Sequence, residues 1–181
     1  HGGVGPGLRG GGKGLGGGYV PIGGIFASDY VVEPIAEADM TVMYFTFSGA
    51  DVGCAVADRV LTIMEDEDLV NRAAVMGERL ASLLDDALGD HPNVIDRRGR
   101  GLMQGVELVR DRETGAHFDG ALAPAVVAEA LERDCWIYPA GCARVPDALL
   151  FGPPFTVSDA ELESMVAIAK ESIDAAVATL T

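Results

Sequence analysis

The chain has 181 residues, 49% of them hydrophobic, with 28 acidic against 13 basic side chains and a formal net charge of −15. That is apolar material enough for a packed core, which excludes general disorder. The acid excess excludes a nucleic-acid face, which needs clustered cations, and disfavours anionic lipid, so neither nucleic acid nor membrane is an expected partner.

No apolar stretch is long enough to span a bilayer and no signal peptide is visible. Cys54, Cys135 and Cys142 fit neither a zinc site nor a disulfide framework. A reduced, cytoplasmic protein without a metal is expected. The first residue is His1, which reads as the start of a fragment or a processed product.

Residues 1–24 hold 13 glycines, a composition that taken alone reads as a flexible linker. Tyr19 to Ile22 add packing groups and a rigid turn. Ser28-Asp29 is an N-cap pair for a short helix through Val32. Met40 to Phe47, rich in β-branched and aromatic residues, predicts a strand or an extended interface segment. Ala50 to Glu65 predicts a helix. The acidic run Glu65-Asp66-Glu67-Asp68 suits the positive end of a second helix, which runs to about Leu88. Leu69, Ala73, Met76, Leu80, Leu83 and Leu84 line its apolar face, with Gly89 as C-cap.

From Asn93 the texture changes to short strands. Val94-Ile95 and Leu102 to Val109 flank a turn at Arg98-Gly99-Arg100-Gly101. Leu122 to Arg133 predicts a helix; Trp136 to Tyr138 and Leu149 to Phe151 predict two strands. Ser158 and Glu161 form a capping box for a last helix, with an apolar stripe from Leu162 to Leu180. The second half reads as a small sheet covered by helices.

The glycine run admits three readings. Gly5 to Gly10 and Gly12 to Gly17 fit G-x-G-x-x-G, but a run so rich in glycine matches that pattern almost for free. Gly7 to Lys13 fits the start of the phosphate-loop pattern, yet Gly14 stands where a magnesium-holding Ser or Thr belongs. In the third reading Lys13 is a lone amine nucleophile among residues with almost no side chains, where a flat, bulky group can reach the backbone.

The run Lys13 to Gly24 resembles the Schiff-base lysine segment of class III aminotransferases, the pyridoxal-phosphate enzymes of fold type I. Four further segments resemble that family in order: Tyr44-Phe45-Thr46-Phe47-Ser48-Gly49, Ala73 to Leu80, Arg98 to Leu108, and Phe151 to Thr156. The resemblance covers the chain after Gly12 and roughly the last two-fifths of a typical member. It implies an α/β fold, a partial fold type I, with the end of the large cofactor-binding domain over 1–64 and a small C-terminal α+β domain over 65–181.

The resemblance also implies pyridoxal 5'-phosphate as cofactor, Lys13 as its catalytic and covalent anchor, and Thr46 on the cofactor phosphate of the partner subunit. A homodimer through the large domain is expected, acting between an amino donor and a keto-acid or aldehyde acceptor. The family's acidic partner of the pyridine nitrogen, its ring-stacking aromatic and its main phosphate loop lie upstream of the lysine. This chain is therefore expected to be part of a longer enzyme and inactive alone. Pro139 stands where many amine-type members carry a carboxylate-gripping arginine; Arg144, nearby, is a candidate substitute. The competing reading is a non-catalytic or phosphate-binding α+β module with a glycine-rich arm.

Overall fold

The computed structural model describes residues 7–40, 45–119, 121–142 and 145–180. Tyr44 and Arg144 fall outside these, as does most of the predicted strand before Phe45. The chain divides into two compact units, one ending at Asp68 and one starting at Leu69.

In the first unit the glycine run is not a linker. Leu8–Gly12 (β1) pairs antiparallel with Gly23–Ala27 (β2), from Leu8 opposite Ala27 to Gly12 opposite Gly23. Alternating side chains normally announce a strand, and glycines have none to alternate. Between the strands lies a ten-residue loop that opens with a 3-10 turn, Lys13–Gly16. The helix after Ser28 is longer than predicted, Asp29–Glu37 (α1), and carries Pro34 within it. Asp51–Asp66 (α2) comes next. Of the described side chains in this unit only Ala57 is a buried hydrophobic, while Leu8, Ile25, Phe26, Tyr30, Phe45, Phe47 and Val52 stand exposed.

The acidic run divides differently from the expectation. Glu65 and Asp66 belong to the end of α2, and Asp68 takes a left-handed φ of 49° just before Leu69–Leu88 (α3). No acidic residue occupies the first turn of α3, so only Asp68 approaches the place the macrodipole favours.

The second unit is a four-stranded antiparallel sheet with helices packed on it. Val94–Arg100 (β3), Met103–Leu108 (β4), Tyr138–Pro139 (β5) and Ala148–Phe151 (β6) lie in the order β3-β4-β6-β5. Arg98-Gly99-Arg100 belongs to β3; the turn is Gly101-Leu102. Gly101 has φ 55° and Leu102 does not turn positive, the φ signs of a type II′ hairpin, which needs glycine first. A bulge leaves Ile95 unpaired. Leu122–Leu131 (α4) and Asp159–Leu180 (α5) complete the unit.

The sheet alternates as a half-covered sheet should. Val106, Leu108, Leu149 and Phe151 are buried in one cluster with Leu80, Leu84, Leu88, Leu122, Val126, Leu162 and Ile173. The opposite face carries Arg98, Met103 and Tyr138, all exposed. Two buried polar groups tie the layers. Asp147 accepts from the Ala123 N–H at the start of α4, at 2.7 Å. His91 accepts from the Asn93 N–H at Nδ1, which leaves Nε2 to donate to Asp174 of α5 at 2.9 Å.

The capping box at α5 forms as the sequence predicts. The Ser158 N–H donates to Glu161 Oε2 at 2.8 Å, and the Glu161 N–H donates to Ser158 Oγ at 3.3 Å. The Ser158 N–H, and then its hydroxyl, hold the Glu161 carboxyl below its ordinary value of 4.5. A carboxyl lowered on folding stabilises the fold above its unfolded pKa and loses that contribution as pH falls through the lower folded one. Ser158→Ala should therefore cost about 1 kcal/mol at neutral pH. Glu161→Gln, which can still accept at the cap, should instead shallow the acid limb of stability below 4.5. Chemical denaturation at stepped pH reads both, and an unchanged acid limb in Glu161→Gln refutes the linkage.

Candidate active-site loop around Lys13

The loop that carries Lys13 is held rather than loose. The Gly17 N–H donates to Gly14 O at 3.0 Å, and the Tyr19 N–H donates to Gly16 O at 2.9 Å. Gly16 is buried, and a Cβ there would come within 2.9 Å of the Ile22 side chain. A Cβ on Gly17 would meet Val60 of α2 at 3.1 Å. The glycines thus let the loop lie close on its own return strand and on α2.

Lys13 itself has φ 49°. A residue with a Cβ is held in the left-handed region at a cost of about 1–2 kcal/mol, which glycine does not incur. In a run where nearly every neighbour is glycine, the strained position carries the one long side chain. The amine is exposed and has no ion-pair or hydrogen-bond partner among the described residues. A Cβ added at Gly10 or Gly14 would meet nothing within 4 Å, so the backbone around the amine is open to a flat group. The chain has two lysines. The other, Lys170, is held by Asp174 of the same helix at 2.8 Å. Lys13 is therefore the lysine without such a partner among the described residues.

Thr46 stands exposed in the turn before α2. The Ser48 N–H donates to Phe45 O at 2.9 Å and the Ala50 N–H to Phe47 O at 3.2 Å, with Gly49 at φ 69°. This turn and the end of the glycine loop meet across a hollow lined by Pro21, Ile22, Gly23, Phe45, Phe47 and Ser48. Neither Lys13 nor Thr46 lines it. The hollow went unseen in the sequence because its two walls are more than twenty residues apart and share no motif.

The phosphate-loop reading fails on context. A strand does precede Lys13, but it leads into one 3-10 turn and then β2, with no α-helix N-terminus to meet a phosphate. Among the described residues no helix is long and apolar enough to cross a membrane.

Comparison with known proteins gives the family. The family model described as Aminotransferase class-III matches residues 1–173. An uncharacterised aminotransferase of Bacillus subtilis, YodT, is 32% identical over 170 residues, 91% of this chain and 38% of the relative. The diaminobutyrate–2-oxoglutarate transaminase of Halomonas elongata is 34% identical over 177 residues, 93% of this chain and 37% of the relative. Among solved structures, a Bacillus anthracis aminotransferase superposes with a TM-score of 0.89 at 30% identity, covering 96% of this chain and 40% of that one. A transaminase from the marine bacterium Virgibacillus gives a TM-score of 0.92 at 26% identity, covering 98% and 41%. The chain thus spans about two-fifths of the length of the proteins it matches.

Proposed function

Because the chain belongs to the class-III aminotransferases, a pyridoxal-phosphate-dependent family of fold type I, we propose that it carries the cofactor-anchoring lysine of a transaminase. The observation that carries this reading is Lys13: an exposed amine, without a partner among the described residues, held at φ 49° where glycine would sit without strain. Backbone strain kept at one position, against the easier residue, is a mark of a functional constraint.

The residues present fit the cofactor's chemistry. A primary amine is the group that condenses with an aldehyde, and the open glycine backbone leaves room for a planar ring. Bound there, pyridoxal phosphate supplies the electron sink that an amino-acid side chain lacks. Lys13 Nζ would hold the cofactor. With that group bound, Lys13 Nζ would also be the base placed to move a proton to and from the carbon beside the substrate amine. Thr46 Oγ1 has no hydrogen-bond partner among the described residues, and we assign it to the cofactor phosphate of a partner subunit. The amino donor and the keto-acid or aldehyde acceptor bind in the complete dimer, of which the unit ending at Asp68 forms the end of the large domain and the unit starting at Leu69 the small one.

The test is reduction with borohydride after incubation with pyridoxal phosphate, followed by peptide mapping. A pyridoxyl group on Lys13, with Lys170 unmodified, is the expected result. Equal labelling of both lysines, or labelling of Lys170 alone, overturns the reading.

A further inference from the structure

An ionisable ring is almost wholly enclosed in the second unit. The His91 side chain is 6% exposed, and both of its nitrogens are engaged. Nδ1 accepts from the Asn93 N–H at 3.1 Å, and Nε2 donates to Asp174 Oδ1 at 2.9 Å. Asn93 is buried as well and fastens the chain after β4. Its Nδ2 donates to Val109 O and Arg110 O, each at 3.0 Å, and its carbonyl accepts from the Val109 N–H at 2.9 Å. The His91 N–H donates to Leu88 O at the end of α3. One imidazole thus joins α3, the start of β3, the chain after β4 and α5.

The two bonds answer a proton differently. A neutral imidazole has one N–H and one bare nitrogen, whereas an imidazolium donates at both. The Asp174 bond exists with either form. The Asn93 bond exists only with the neutral ring, because a protonated Nδ1 would face the Asn93 N–H donor to donor. The charges around the ring largely cancel. On α5, Asp174 holds Lys170 at 2.8 Å. At the end of α3, Asp85 holds Arg97 of β3 at 2.7 Å. The turn beside Pro92 carries Arg110 and Arg112 with Asp111 and Glu113. Asp86 and Asp90 remain, lining the same hollow as His91. Lys170, and then His91, hold the Asp174 carboxyl below its ordinary 3.8, so it stays ionised wherever the ring titrates. Both ring nitrogens are taken, so Asp86 and Asp90 attract a charged ring only at a distance, where salt screens them. A buried N–H stripped of its acceptor loses its bond in full. The Asn93 bond therefore decides the balance.

We propose that His91 is an acid-sensitive latch: the neutral ring closes the joint between the start of β3 and α5, and protonation opens it at Asn93. The sign follows from the bond that is lost. That bond holds while the ring is neutral and is given up as pH falls through the imidazole range, about pH 8 to 5. The latch lies within the second unit, needs nothing from Lys13, and stands or falls apart from the transaminase reading.

Amide hydrogen exchange on the full chain tests the latch, read as protection factors so that the intrinsic effect of pH on exchange is divided out. Asn93 should be about tenfold less protected at about pH 5.5 than at about pH 7.5, the loss expected for one buried hydrogen bond. Leu108, whose N–H donates to Asp147 O in the same sheet, should keep its protection. His91→Asn, which can accept at the Nδ1 position and does not titrate, should level the Asn93 response. Nitrogen NMR of the ring in the unaltered chain is the second reading: at the higher pH, Nδ1 should be bare and Nε2 protonated. Asn93 protection that is unchanged or rises in acid, an equal fall at Leu108, a fall that persists in His91→Asn, or the opposite tautomer would each overturn the proposal.

Discussion

A Gly77→Ala variant is expected to lose about 2–3 kcal/mol of stability, a large change for an added methyl group. Gly77 lies in α3 against the hairpin turn of β3 and β4. A Cβ there would fall 2.2 Å from the carbonyl carbon of Gly101 and 2.3 Å from its Cα. Those are backbone atoms, and Gly101 is already committed to a left-handed φ of 55° by the turn. Neither can step aside as a flexible side chain would. Helix propensity alone favours alanine over glycine by about 1 kcal/mol, so the sign of the effect separates the two influences. Urea denaturation measures it, with Val75→Ala, on the exposed side of the same helix, as control. A Gly77→Ala variant as stable as the parent would mean that α3 does not press on the turn.

Lys13 should show the opposite separation of stability from chemistry. Lys13→Gly is expected to be as stable as the parent or up to about 1 kcal/mol more stable, because φ 49° suits glycine, less the entropy that glycine loses on folding. The same change should abolish the pyridoxyl adduct. In the complete enzyme it should lower transamination by at least about three orders of magnitude, as loss of a covalent nucleophile does. Lys13→Ala should lose the chemistry without the gain in stability. A Lys13→Gly protein that still transaminates at a comparable rate would remove Lys13 from the mechanism.

The two variants together mark which forces were readable in the chain itself. The capping box at Ser158 and Glu161 and the buried stripes of α3 and α5 follow from contacts three and four residues apart, so local spacing reveals them. Lys13 stood out because a lone amine among glycines has few structural uses. The strands beside it did not, since β1 and β2 are built from residues without the side-chain alternation that betrays a strand. Trp136 reads as a strand residue by type, yet β5 is only Tyr138–Pro139, because pairing with β6 reaches no further. The turn assigned to Arg98–Gly101 lies at Gly101-Leu102 because the register of β3 on β4 carries pairing to Arg100. Composition, charge, helix stripes and the lone lysine are properties of neighbours along the chain, and the order of residues is enough to specify them. The pressure of Gly77 on Gly101, and the bond of His91 to Asp174, join residues far apart in order. They exist only once the β3-β4-β6-β5 pairing and the helix packing have brought those residues side by side.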